Sequence, residues 1–154
     1  MEKEMPIGLR FSLLHRSFKK QLDERLKEWE LTGVQFGVLS QLGRLECAGQ
    51  EEVYQKDLEL AAHMTHPTMT EIIKRLEKQG FVRCRPGERD RRYKCISTTE
   101  KSRQLGREMA EVDRQVFDKL CSGLGGEQKA SLIAMTDVML ENAGCSGKGK
   151  RKDD

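Results

Sequence analysis

The segment from Pro67 to Ser97 reads PTMTEIIKRLEKQGFVRCRPGERDRRYKCIS. Its first half places apolar residues at helical spacing, namely Met69, Ile72, Ile73 and Leu76. Gly80 stands where a helix commonly ends in the left-handed conformation. After Gly80 the apolar period changes from about 3.6 to about 2, so FVRCR and YKCIS are predicted strands and PGERDRR is the loop between them. The stretch therefore predicts a helix followed directly by a β-hairpin.

A second, shorter helix and a turn precede this stretch. KDLELAAHM predicts the short helix and TH the turn. Thr65 is placed to cap the longer helix, and Pro67 suits its first turn. A helix-turn-helix followed at once by a two-stranded hairpin is the order of a winged helix. In that arrangement the second helix enters a major groove of DNA, and the hairpin reaches the neighbouring backbone or minor groove.

Amphipathic helices flank this unit on both sides. One follows the apolar residues from Phe11 to Trp29, and another begins after Thr32 and ends near Gly49, before a possible strand stub at Val53. A long helix follows the hairpin and breaks at Gly123, before a last helix. We therefore predict a mainly α fold, a winged helix-turn-helix with about six helices and a two-stranded β-hairpin wing.

The terminal helices carry apolar stripes without an obvious partner inside one subunit: Phe11, Phe18 and Leu22 at one end, and Leu132, Ile133, Met135, Val138 and Met139 at the other. Pairing them across a two-fold axis would bury them, whereas packing within one subunit is the alternative. We favour a homodimer, with residues 1–31 and 98–143 as a helical dimerisation region and residues 32–97 as the DNA-binding lobe. Residues 144–154 are predicted to be a disordered basic tail.

The predicted hairpin tip concentrates positive charge. Between Arg85 and Cys95 the chain places four arginines and a lysine around a Pro-Gly pair. The minor groove of DNA concentrates negative potential, and a protruding arginine can enter it. We expect Arg85, Arg89, Arg91 and Arg92 to contact phosphates or the groove, and Asp90 to orient Arg92 by a charge-assisted hydrogen bond. The alternative is a surface hairpin that carries solvated charge.

The longer helix presents a polar face opposite its apolar stripe. On that face we expect Thr70 and Lys74 to reach base edges, and Glu71 to accept from a cytosine amine or to orient Lys74 or Arg75. At the helix start, Thr65, His66, Pro67 and Thr68 are placed near phosphate. The alternatives are that Thr65 serves only as a cap and that the charges are solvated.

Other function classes have less support in the sequence. The net charge is only +3, so a nucleic-acid interpretation depends on where the charge lies. A Gly-rich phosphate loop, a metal-spaced ligand cluster and a nucleophile elbow are all missing from the sequence, so we predict neither an enzyme nor a cofactor. His63 and His66 flank the predicted turn, but a metal site there is disfavoured. Without an apolar leader or membrane run, we predict a cytoplasmic protein with no membrane partner.

Three segments resemble the multiple-antibiotic-resistance regulator (MarR) family of bacterial transcription factors: LTGVQFGVL, PTMTEIIKRLEKQGFV and the Asp-x-Arg of RDRRYKCISTTEK. The resemblance implies a homodimer with one winged helix per subunit, bound to pseudo-palindromic promoter DNA. It also implies a repressor that a small ligand or an oxidant releases, with Asp90 and Arg92 as the wing pair. Thr98 and Ser102 depart from the family pattern, which usually has Leu and Gly there.

The identity of an effector is the least defined part of the prediction. By the resemblance, a small aromatic or anionic ligand would lie near His15, Arg16, Trp29 or Phe36, and plain packing is the alternative for each. A thiol-based redox sensor of the same fold is another alternative. The five cysteines are widely spaced without a C-x-x-C pair, which suits reduced thiols better than a disulfide framework or a zinc site. Cys84 and Cys95 lie on the two wing strands and could face each other. However, the organic-peroxide branch of the family carries its reactive cysteine where this chain has Arg10.

A winged-helix module for protein contact is the last alternative, and the Lys-containing polar face argues against it.

Overall fold

A computed structural model describes residues 4–145, and in this range the chain forms six helices and three strands. In chain order they are α1 (Ile7–Glu28), α2 (Gly33–Cys47), β1 (Val53–Tyr54), α3 (Gln55–Ala62), α4 (His66–Lys78), β2 (Val82–Pro86), β3 (Lys94–Thr98), α5 (Glu100–Leu120) and α6 (Gly126–Asn142). The helix-turn-helix is α3–α4, and β2–β3 is the wing. This order confirms the predicted mainly α, winged-helix fold.

Helix ends follow the local chemistry of the sequence. Thr32 caps α2 in a reciprocal pair, because its hydroxyl accepts the N–H of Gln35 and the Gln35 amide oxygen accepts the N–H of Thr32. Thr65 occupies the cap position of α4, but its side chain makes no capping hydrogen bond to the helix backbone. Its hydroxyl lies 3.0 Å from that of Thr68 instead. Gly80 ends α4 at φ 77°, as predicted.

The wing is part of a three-stranded antiparallel sheet within the described residues, in the order β1–β3–β2. Val53 pairs with Ile96 and Tyr54 with Cys95, so the predicted strand stub forms and lies against β3. Cys84 pairs with Ile96 and Arg85 with Cys95. The expectation that Cys84 and Cys95 could face each other is therefore wrong, because a register offset of one residue places them on opposite faces of the sheet.

The core is a cluster of apolar side chains from α1, α2, α3, α4, the sheet and α5. The α4 stripe of Met69, Ile72, Ile73 and Leu76 is buried, as its spacing predicts. Phe81, directly after α4, is fully buried and packs on Trp29 with ring centroids 6.1 Å apart. This packing fixes the orientation of α4, so its opposite face is turned outward.

The residues at the two departures from the family pattern form hydrogen bonds where α2, β3 and the start of α5 meet. The N–H and hydroxyl of Thr98 donate to the carboxylate of Glu46, at 2.8 and 2.6 Å. Ser102 accepts the N–H of Thr99, and the Thr99 hydroxyl accepts the N–H of Ser102. The side chains that replace Leu and Gly thus cap α5 and join β3 to α2.

The described chain divides into two compact units between Val116 and Phe117. In the first unit, the early part of α1 exposes Ile7, Leu9, Phe11, Leu13 and Leu14; in the second, α6 exposes Leu132, Ile133, Met135, Val138, Met139 and Leu140. The predicted boundaries of a separate dimerisation region remain a prediction. Most of the predicted basic tail, residues 146–154, lies outside the described residues. No helix within residues 4–145 is long and apolar enough to cross a membrane.

Candidate DNA interface

The outward face of α4 carries polar and charged side chains that are open to solvent. Pro67, Thr70, Glu71, Lys74 and Arg75 are all exposed. Within residues 4–145, the side chains of Glu71, Lys74 and Arg75 make no hydrogen bond or ion pair. Glu71 therefore does not orient Lys74 or Arg75, contrary to one of the two expectations for it. All three side chains face solvent, and their polar groups are available to bind a ligand.

The hydroxyl of Thr70 is engaged inside the protein. It donates to the carbonyl oxygen of His66 at 2.9 Å, and it accepts from the Gln55 amide at 2.8 Å. The same Gln55 amide donates to Glu59 at 2.9 Å, and His66 Nδ1 lies 2.7 Å from that carboxylate. A neutral threonine has one hydroxyl proton, so Thr70 keeps its methyl group and one lone pair for any ligand.

This hydrogen-bond network keeps the Glu59 carboxyl group ionised beside the start of α4. The Gln55 hydrogen bond, followed by the contact with His66, lowers the pKa of Glu59 below its ordinary value. Glu59 is therefore a carboxylate at neutral pH, and His66 Nδ1 is the donor in their contact. His66 itself is largely exposed, as are Thr65 and Thr68. The predicted phosphate-contacting groups thus lie together at the N-terminal end of α4.

Arg92 projects from the wing in a fixed orientation. Its Nε and Nη2 donate to the Asp90 carboxylate at 3.0 and 2.8 Å, and its backbone N–H donates to the same carboxylate. The Arg92 side chain is nevertheless 83% exposed. The hydrogen bonds from Arg92 lower the pKa of Asp90, so this carboxylate stays ionised at neutral pH. The structure thus contains the Asp90–Arg92 contact that the sequence predicted; the DNA contact of Arg92 remains a prediction.

The other wing arginines surround this pair. Arg85 is exposed on β2, and Arg91 is exposed in the loop. Arg89 forms an ion pair with Glu51 at 3.3 Å, and both side chains are about four-fifths exposed, at 77% and 81%. A surface pair this open contributes little to stability. Arg89 therefore remains able to exchange Glu51 for another anion.

Two residues outside the predicted site hold α4 and the wing loop in place. Gln55 reaches Thr70 from α3, and Glu52 accepts the backbone N–H groups of Glu88 and Arg89 at the wing tip. Gln and Glu next to a short strand give no distinctive sequence signal. Their partners are 15 to 37 residues away along the chain, so only the fold brings these groups together.

Two of the four predicted effector residues line cavities, and the other two do not. Phe36 and His15 line one cavity, and Phe36 also lines a second cavity of about 490 Å³ that includes Glu46 and Arg103. Arg16 lines neither of them. Trp29 belongs to the core, because its ring packs on Phe81 and its Nε1 donates to Glu108 at 3.0 Å.

The cysteines do not form a thiol pair. All five are free; Cys95 and Cys121 are buried, whereas Cys47 and Cys145 are exposed. Burial, followed by the neighbouring Glu77, raises the pKa of Cys84 to about 11, which disfavours the reactive thiolate at neutral pH. Within the described residues, no group of three or more histidine, cysteine or acidic side chains is placed to hold a metal ion.

Helix α4 buries its apolar face and exposes a polar one, and a wing with arginines at its tip follows it. This arrangement defines a winged-helix DNA-binding transcription regulator. Residues 31–94 match the model of the MarR family. The matched segment spans α2, the helix-turn-helix α3–α4, β2 and the wing loop. The MarR family consists of transcription regulators, and the prediction that this chain is not an enzyme agrees with this match.

Solved structures share this fold across most of the chain. The reduced form of MarR from E. coli is 19% identical with a TM-score of 0.71, and the match covers 90% of this chain and 99% of that one. MepR, a transcription regulator of the Staphylococcus aureus multidrug efflux pump MepA, is 21% identical with a TM-score of 0.71 and the same coverage. A MarR transcriptional regulator from Methanosarcina mazei Go1 is 24% identical with a TM-score of 0.70, covering 89% and 95%.

Proposed function

We propose that the chain is a homodimeric transcriptional repressor that binds a pseudo-palindromic promoter site and is released by a small molecule. The observation that carries the DNA-binding part is the wing arginine, Arg92, which is fixed by Asp90 yet 83% exposed. Holding a long side chain in place before binding reduces the entropy lost on binding. An arginine held in this way suits a narrow, negative groove.

The two reading elements have different tasks in this proposal. Thr70, Glu71, Lys74 and Arg75 lie on the exposed face of α4 and contact base edges in the major groove. Thr65, His66, Pro67 and Thr68, at the start of α4, contact phosphate. Arg85, Arg89, Arg91 and Arg92 bind the adjacent phosphates and the minor groove, with Asp90 as the orienting partner.

The exposed apolar helices support the homodimer. Ile133, Met135 and Val138 on α6 are each half exposed or more, and Ile7 on α1 is 68% exposed. An apolar helix face that is exposed to water indicates a protein contact. A second copy of the chain, related by a two-fold axis, would bury these faces and would match the symmetry of a palindromic site.

The cavity lined by Phe36 and Arg103 supports a small aromatic or anionic effector. Its volume, about 490 Å³, is within the range of small-molecule sites, and its lining is mostly apolar. Arg103 is its cationic group, although it also donates to Thr98 and forms an ion pair with Glu100 at 3.1 Å. MepR, a structural neighbour, regulates a multidrug efflux pump. For the present chain, we include a response to small molecules in the proposal.

The test is equilibrium binding to duplex DNA across a salt series, combined with sedimentation equilibrium. A dimer that binds through phosphates should lose affinity linearly in log K against log salt concentration. A winged helix used only for protein contact would show no salt-dependent DNA binding. A monomer at micromolar concentration would contradict the homodimer, even if DNA binding were retained.

A further inference from the structure

The tip of the wing is tied to the residue before β1. Glu52 accepts the backbone N–H of Glu88 through Oε1 at 2.5 Å, and the N–H of Arg89 through Oε2 at 3.3 Å. Its Oε2 also accepts the hydroxyl of Tyr54 at 2.5 Å. Both backbone donors belong to the loop that carries Asp90 and Arg92. Glu52 therefore links the DNA-contacting loop to a part of the chain outside the hairpin.

Tyr54 packs against the same loop. A Cβ atom at Gly87 would lie 2.7 Å from the Tyr54 hydroxyl and 2.8 Å from the carbonyl oxygen of Asp90, so the loop backbone touches the tyrosine. The Tyr54 ring also meets Tyr93 edge-on, with centroids 6.3 Å apart. The loop is thus held on one side by an aromatic pair and at its tip by a carboxylate.

The protonation states suit this arrangement. The hydrogen bond from Tyr54, followed by the one from the Glu88 backbone, lowers the pKa of Glu52. The same bond raises the pKa of Tyr54 to about 12. At neutral pH, Glu52 is therefore an ionised acceptor and Tyr54 a neutral donor. Hydrogen bonds from backbone N–H groups to an ionised acceptor are stronger than those between neutral groups.

Simple electrostatics predicts that the charge of Glu52 weakens DNA binding. A carboxylate beside a DNA-contacting loop repels phosphate, so its removal should strengthen binding if charge were its only effect. Glu51 provides the comparison. It is the adjacent residue with the same charge, and its side chain is 81% exposed. Within residues 4–145, its only side-chain hydrogen bond and ion pair is with the guanidinium of Arg89.

We propose that Glu52 is a positioning residue, which strengthens DNA binding by holding the wing tip in its binding conformation despite its unfavourable charge. This inference depends on the proposed DNA-binding function. The backbone N–H groups of Glu88 and Arg89 are ordered before DNA arrives, and they precede the Asp90–Arg92 pair by one or two residues. A wing without this contact would have to be ordered during binding, at the cost of affinity.

The test compares Glu52→Gln with Glu51→Gln, two substitutions that remove the same charge. The probe is a fluorescent duplex carrying the motif that the wild-type protein selects. Glu52→Gln should weaken binding on the order of tenfold, because fixing one loop residue costs about that factor. The slope of log K against log salt should not change. Glu51→Gln should bind as tightly as the wild type or more tightly.

A second measurement, without DNA, reports on the contact itself. Hydrogen exchange of the Glu88 and Arg89 amides should be faster in Glu52→Gln, and less so in Tyr54→Phe, while exchange in α4 stays unchanged. If Glu52→Gln binds as tightly as Glu51→Gln, or if these two amides exchange at the wild-type rate, Glu52 does not position the wing. If the wild type binds no duplex, the proposed function fails and the role of Glu52 with it.

Discussion

Single side chains at the interface are held by short-range hydrogen bonds before any DNA is present. Asp90 holds the guanidinium of Arg92, and Gln55 and the His66 carbonyl oxygen engage the hydroxyl of Thr70. The first contact was predictable because the two residues are two positions apart on a tight loop. The second was not, because Gln55 lies 15 residues from Thr70 and reaches it only through the packing of α3 on α4.

The engaged hydroxyl leads to a prediction about Thr70. Thr70→Ser keeps the hydroxyl but removes the methyl group, whereas Thr70→Val does the reverse. If Thr70 reads DNA through its methyl group, Thr70→Ser should lose a thymine preference of roughly fivefold, corresponding to about 1 kcal/mol for one buried methyl. Thr70→Val should keep that preference. Binding to duplexes in which uracil replaces single thymines measures both, and a loss in Thr70→Val but not in Thr70→Ser would contradict the methyl contact.

Arg92 and Asp90 should act as one unit. Arg92→Ala should weaken DNA binding strongly, leave the fold intact, and make the slope of log K against log salt shallower by about one. Asp90→Ala should weaken binding less and leave the slope nearly unchanged, because the cation remains but loses its orienting partner. The double variant should resemble Arg92→Ala. Titrations of the three variants at several salt concentrations decide this, and simple addition of the two losses would exclude the coupling.

At the scale of elements, periodicity and turn chemistry predicted most of the fold. The α4 stripe is buried, Thr32 caps α2 and Gly80 ends α4. Three features were not predictable with certainty: the pairing of β1 with β3, the strand register that separates Cys84 from Cys95, and the lack of a capping bond from Thr65. Each depends on how elements meet in space, and a two-residue strand has too few residues to show a period.

Gly87 tests the attachment of the wing as an element. Gly87→Ala would place a methyl group against Tyr54 and the Asp90 carbonyl oxygen, so the free energy of unfolding should fall by about 1–3 kcal/mol. The control is Gly37→Ala on α2, where nothing lies within 4 Å of the new atom. That variant should gain roughly 0.5–1 kcal/mol. Chemical denaturation of both variants measures these changes, and a neutral Gly87→Ala would show that the loop is not packed on Tyr54.

For the whole molecule, the location of charge matters more than its sum. The net charge is +3, yet the exposed cations of α4 and the wing follow one another closely in the chain. The apolar faces of α1 and α6 are separate from these cations in sequence. We therefore expect these cations to bind DNA and the apolar faces to bind a second copy of the chain, so that two α4 helices are presented together on one duplex.

Selection of bound duplexes from a random pool tests whether the chain binds specific DNA sequences as a dimer. We expect an enriched motif with two-fold symmetry and half-sites about one helical turn apart, because each subunit of a dimer would place one α4 in a major groove on the same side of the DNA. An enriched motif without two-fold symmetry would contradict the dimeric arrangement. A pool that shows no enrichment after repeated rounds would contradict sequence-specific DNA binding.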